Sequence, residues 1–138
     1  MKDKQAIIEI IKKLIGKEYI YEYDVKYSDI DRMDFANNVV YFDWFQTARI
    51  EFLKFYGLNY VLELENNDIV LPVRKADIHY KKPIKYGQNL KIKVLFEKFS
   101  NDRIINFSCK IFDGDLKNIY TTANFELVIV KLKDSIFV

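Results

Sequence analysis

The segment from Asn37 to Gly57 constrains the fold more than any other stretch. Asn37-Asn38 offers a helix N-cap, because an Asn side chain accepts from an N–H that the first turn leaves unpaired. Tyr41, Trp44, Phe45, Ala48, Phe52 and Phe55 then recur at helical spacing on one face. Gly57 stands where a helix of this length stops. A long helix with so aromatic a face must be covered, and most of the remaining chain alternates as strands do.

Ahead of the helix, Glu18 to Ser28 reads as a strand with Tyr19, Tyr21, Tyr23, Val25 and Tyr27 on one face. Asn59 to Asp68 reads as a connection with an extra helical turn. Ile69 to Tyr80 predicts the next strand. Gln88 to Phe99 alternates Leu90, Ile92, Val94 and Phe96 against charged residues. After a turn at Ser100-Asn101-Asp102, Arg103 to Phe112 places Ile105, Phe107, Cys109 and Ile111 on one face. Asp113-Gly114 signals a hairpin. Asn118 to Lys131 predicts the last strand, and Asp134 to Val138 a loose tail. The order is strand, long helix, then four strands expected as a meander. One curved antiparallel sheet wrapped around the helix buries both apolar faces. The expected class is therefore α+β, a five-stranded hot-dog sheet around one long helix, with a short N-terminal helix.

That short helix is expected within Met1 to Gly16, with Ile7, Ile8, Ile11, Leu14 and Ile15 as one stripe and lysines off it. The expectation is docking on the body; membrane-surface or partner binding is the sharper alternative. Length points to a single domain over residues 1–138, of which 1–17 is the amphipathic extension.

Composition removes several functions. With 22 Lys+Arg against 20 Asp+Glu, the net charge of +2 gives no general case for nucleic acid. One Cys and one His argue against a disulfide framework or a protein-only transition-metal site. The sequence shows neither a bilayer-spanning apolar run nor a signal peptide, and a cytoplasmic location is expected.

The candidate chemistry lies in the loop before the helix. Asp29, Asp31 and Asp34 precede Asn37-Asn38 closely. N–H groups at a helix start can hold a negative oxygen. A carboxylate beside such a helix end suits acyl transfer. Arg74, Lys75, Lys81, Lys82 and Lys85 form a basic cluster in sequence. They serve either as a solvated edge that resists sheet aggregation or as a clamp for coenzyme phosphates. Trp44 and Phe45 suit a core or an acyl pocket. Cys109, among apolar strand neighbours, reads as an inert core thiol. His79, the single imidazole, reads as a strand residue.

Tyr27, Asp29, Asp31, Asn37, Asn38, Tyr41, Phe45, Ala48 and Arg49 carry a pattern that resembles hot-dog acyl-CoA thioesterases of the 4-hydroxybenzoyl-CoA thioesterase type. HYKKPIKYGQNL, from His79 to Leu90, is a weaker second likeness. The resemblance spans about Tyr19 to Val130. It implies thioester hydrolysis with Asp31 as nucleophile or general base and the Asn38 N–H polarising the carbonyl. The expected substrate-binding residues are Asn37, Tyr41, Phe35, Lys81 and Lys82, and Asp29 is expected as a structural acid held by Arg49 or by loop N–H groups. The resemblance implies coenzyme A as part of the substrate, or else a carrier-protein thioester, with no separate cofactor and no metal. It also implies a homodimer, or a dimer of dimers, with sites between subunits and His79 near the seam.

The departures are Asp34 for a family glycine, Phe35 and Asn38 where relatives carry histidine, Gln46 for a helix glutamate and Gln88 for an acid. They motivate the alternative of a non-catalytic acyl-thioester-binding module. A hydratase normally pairs a His with an acid, and this loop has no His.

Overall fold

The computed structural model describes residues 3–31 and 33–132. The first helix, α1, spans Lys4–Lys12 and is capped by Asp3, whose carboxylate accepts from the Ala6 N–H. Strand β1 is Glu18–Asp24, and α2 is Asn38–Phe55. Then come β2 (Ile69–Val70), β3 (Val73–Tyr80), β4 (Asn89–Ser100), β5 (Ile104–Asp113), β6 (Ile119–Val128) and β7 (Val130–Lys131).

The five long strands form one antiparallel sheet in the order β1-β4-β5-β6-β3. The meander expectation is corrected here. Strands β4, β5 and β6 do follow one another, but β3 pairs with β6 at the far edge, not with β4. Two further expected strands divide. Leu71-Pro72 separates β2 from β3, and Ile129 separates β6 from β7. Proline lacks the N–H that a ladder needs, and the short pieces pair with each other instead.

Alternation decides the faces. Leu90, Ile92, Val94 and Phe96 of β4 and Ile105, Phe107, Cys109 and Ile111 of β5 are all buried. Their intervening neighbours face outward, where Lys91 pairs with Glu22 at 3.1 Å and Lys93 with Glu18 at 3.2 Å. The inner face receives α2. Phe45 meets Phe125 with ring centroids 5.2 Å apart, and Phe52 meets Phe107 at 5.4 Å. Trp44 meets Tyr23 of β1 at 5.4 Å. Fully burying each such side chain contributes about 1.5–3 kcal/mol. Phe55 departs from the expected stripe and is exposed at the last turn. Gly57 ends the helix at a φ of 93°, a left-handed conformation that favours glycine.

The α1 stripe docks as expected, with Ile7, Ile8, Ile11 and Leu14 buried in the same core as α2. Ile15 does not; it lies beyond the helix and is exposed. Tyr27 also leaves its expected face, because the chain turns into a 3-10 segment, Tyr27–Asp29, after β1. The expected tail over Asp134 to Val138 lies outside the described residues. Among the described residues no helix is long and apolar enough to cross a membrane.

Candidate functional site

Sequence-local chemistry builds the loop ahead of α2. Asp29 is buried. Its Oδ2 accepts the Tyr23 hydroxyl at 2.6 Å and the Lys26 N–H at 2.9 Å. The Tyr23 phenol is pushed up to about 12, chiefly by burial and then by this carboxylate. Asp29 thus satisfies loop and strand donors, as one of its two expected roles required. The other role, pairing with Arg49, is not formed: Arg49 lies three turns into α2, with its guanidinium over the Phe125 ring.

Beyond Asp29 the chain doubles back. Ile30 and Ala36 form an isolated antiparallel bridge. The Asp31 N–H donates to the Phe35 carbonyl at 3.0 Å, and the Asn37 N–H to the Asp29 carbonyl at 3.0 Å. This tight loop holds Asp31 beside the segment that starts α2. Asp31 is exposed. Its Oδ1 accepts the Met33 N–H at 2.8 Å, the Asx turn expected of an Asp here. Asp34, at the family's glycine position, takes a φ of 64°. The backbone there has the left-handed form that glycine adopts freely and that Asp tolerates better than most residues.

Asn37 is the N-cap, and its side-chain oxygen accepts the Val39 N–H at 3.0 Å. Asn38 is the first helical residue, so its N–H has no carbonyl to reach within the helix. That N–H, with the positive end of the helix dipole behind it, is the geometry expected of an oxyanion donor.

Phe35, Asn38, Tyr41, Lys81 and Lys82 come together around a cleft of about 240 Å³, closed by Ala36, Tyr80 and Pro83. Asp31 and Asn37 are not among the residues that line it. Tyr41 packs edge-on against Tyr80 at 4.9 Å, and burial raises its phenol pKa. The Lys81 and Lys82 N–H groups both donate to the Tyr120 carbonyl, which fixes the chain as it leaves β3.

The basic cluster of the sequence does not stay together. Arg74 and Lys75 lie at the other end of β3, roughly 20 Å from Lys81 at strand rise. Arg74 pairs there with Glu126 at 2.8 Å. Lys85 lies over the Phe35 ring, 5.7 Å from its centroid. Only Lys81, Lys82 and Lys85 remain near the cleft. Trp44 and Phe45 resolve as core and line neither cavity. Cys109 is buried, and burial pushes its thiol up to about 12. His79 lies on exposed β3 with Nε2 3.4 Å from Asp77 Oδ1.

Sequence reasoning missed a second, larger cavity. It measures about 620 Å³ and lies between α2 and the sheet, lined by Phe42, Gln46, Arg49, Leu53, Tyr60 and Leu127 among others. Arg49 is buried, with its guanidinium 4.5 Å from the centroid of the Phe125 ring. Burial lowers its pKa from the ordinary arginine value. The signal was present as a second stripe, Phe42, Gln46, Arg49 and Leu53, offset from the aromatic one on the same helix.

Known proteins share this architecture. A DHNA-CoA thioesterase from Staphylococcus aureus superposes with a TM-score of 0.77 at 29% identity, over 83% of this chain and 74% of that one. A 1,4-dihydroxy-2-naphthoyl-CoA thioesterase from Synechocystis gives 0.77 at 17% identity, over 86% and 85% of the two chains, a likeness of fold. The Bacillus subtilis (strain 168) protein YneP, provisionally named an acyl-CoA thioesterase, is 26% identical over 84 residues. That match takes in 61% of this chain and spans 60% of the length of YneP. The thioesterase-like superfamily model matches residues 25–135, from the end of β1 through the acidic loop, α2 and every later strand. The chain belongs to the thioesterase-like superfamily.

Proposed function

We propose that this protein hydrolyses an acyl-CoA thioester, with Asp31 as the reacting carboxylate and the Asn38 N–H as oxyanion donor. The observation that carries the reading is the doubled-back loop, which ties the Asp31 N–H to the Phe35 carbonyl two residues ahead of the N-cap, while Asn38 presents an N–H that the helix cannot pair. Membership of the superfamily and the CoA-thioesterase relatives support the reaction type.

The chemistry needs little more. A thiolate leaves without strong acid assistance, so no imidazole is required. As base, Asp31 takes a proton from water as the water oxygen bonds to the thioester carbon. As nucleophile, a carboxylate oxygen bonds to that carbon, the thiolate departs, and water cleaves the resulting anhydride. In both routes charge develops on the carbonyl oxygen, and one well-placed donor there is worth about 10²–10³ in rate. Asn37 fixes the helix start. Phe35 and Tyr41 flank the thioester, and Lys81 and Lys82 face the phosphates of coenzyme A. The exposed edge of β3 supports a homodimer joined through that strand, which places the cleft and His79 near a subunit seam.

The test is product analysis with a panel of acyl-CoAs spanning short, long and aryl chains. Equimolar free thiol and free acid are expected from at least one member. Saturable binding with neither product would contradict hydrolysis and favour the acyl-thioester-binding module, which the missing histidines motivate.

A further inference from the structure

Arg49 is 7% exposed, and its Nε and Nη1 are out of solvent with no hydrogen-bond partner among the described residues. A buried cation is stable when an anion or acceptors replace its water. Stacking on Phe125 satisfies only the face of the guanidinium. The N–H groups point outward in its plane and still need oxygen. The nearby Cys109 thiol keeps its proton and supplies no anion. What adjoins Arg49 is the 620 Å³ cavity.

The cavity lies within the range of small-molecule sites, which are mostly apolar with a few convergent polar groups. Its walls are Phe42, Leu53, Leu127 and other apolar side chains, with Gln46, Arg49 and Tyr60 as the polar exceptions. The Tyr60 hydroxyl accepts the Leu71 N–H at 3.2 Å, so its own hydrogen remains to be given. Each of the three polar side chains therefore carries a hydrogen to donate to a ligand oxygen. Along α2 the lining starts at Phe42, one turn after Asn38, and runs past Arg49, about 16 Å from Asn38 at helical rise.

We infer that this cavity receives the acyl group of the substrate, and that the group is apolar in its body and carries a carboxylate or other oxygen acceptor that Arg49 holds. The inference rests on the hydrolase reading and names the acyl class that such an enzyme takes. Arg49 acts here in specificity, remote from the reacting carbon.

Matched substrates long enough to span from Asn38 to Arg49 test it: dodecanoyl-CoA against dodecanedioyl-CoA, and hexadecanoyl-CoA against hexadecanedioyl-CoA, with wild type, Arg49→Lys and Arg49→Met. A hydrogen bond to a charged group supports an expected preference of about tenfold or more in kcat/KM for the carboxylate member of at least one pair. Arg49→Lys should keep part of the preference and Arg49→Met should lose it. Binding of the non-hydrolysable thioether analogues of dodecanoyl- and dodecanedioyl-CoA, read by calorimetry, should show the same order. Wild type indifferent to the carboxylate in both pairs overturns the inference, and so does a preference that Arg49→Met leaves unchanged. If Arg49→Met instead dissociates an oligomer while wild type shows no preference, a second copy satisfies Arg49 and the inference fails. Selective binding without turnover of any substrate would contradict hydrolysis alone. Turnover without selectivity would contradict the inference alone.

Discussion

Cys109 and Tyr23 contribute to the dependence of stability on alkaline pH. The Cys109 thiol rises from 9.0 to about 12 through burial, and the Tyr23 phenol from 10.0 to about 12. Both groups hold their protons in the folded state at pH values where the unfolded chain has lost them. Their stabilisation is complete below about pH 9 and is lost as pH rises toward 12. Urea unfolding from pH 7 to pH 11 should show stability constant at first and then falling. In Cys109→Ala, less stable throughout, the decline should start nearer pH 10; an unchanged onset would contradict the assignment. Other residue roles differed in how far sequence could reach them. Asp29 as a structural acid was legible, but its partners were not, because Tyr23 meets it only after β1 turns into the loop. A family pattern suggested Arg49 as its partner, yet the helix carries Arg49 three turns on, over Phe125. Asp34 sits at a position whose backbone still takes the glycine-favouring conformation, so a substituted residue kept the shape of the loop.

At the scale of elements, α1 and α2 were legible because amphipathic periodicity is a local property. The Asn37 cap agreed as well, accepting the Val39 N–H, whereas the Asp3 cap of α1 came only with the structure. The neighbour of β3 was not legible. Strand β3 carries no buried alternation to name its neighbour, and only the assembled sheet places it beside β6 at the far edge. The second cavity was hidden for a related reason, since it forms between α2 and strands distant in sequence. Docking of α1 into the main core has an energetic consequence. Ile11 is fully buried there. Ile11→Ala should cost about 2–5 kcal/mol in chemical denaturation. The substitution should lower the single cooperative transition, and an early separate transition for α1 would contradict a shared core.

For the molecule as a whole, the sheet has two outer strands. Each is paired on one side only, but β1 is half-buried in alternation, whereas β3 is exposed along nearly its whole length, from Val73 to Tyr80. An unpaired strand edge is a template for a second chain. Sedimentation should therefore find a dimer. A proline at Ala76, which removes an N–H, should weaken that dimer by tenfold or more if this N–H faces the edge; a neighbouring position serves if it faces β6. A monomer in wild type at micromolar concentration would contradict β3-edge pairing. The fold and family were readable from the helix and the Tyr27 to Arg49 pattern. The acyl group was not, because the cavity walls come from α2, the Tyr60 segment and the far strands together.

The most direct test of the central claim is thiol release by wild type and Asp31→Asn, side by side on the acyl-CoA that wild type cleaves best. Asn is nearly isosteric and can still accept the Met33 N–H, so the loop should persist and the melting temperature should hold. The account predicts a loss of kcat of about 10²–10⁴, the range of a general base. Full activity in a folded Asp31→Asn would contradict it and move the chemistry to another group.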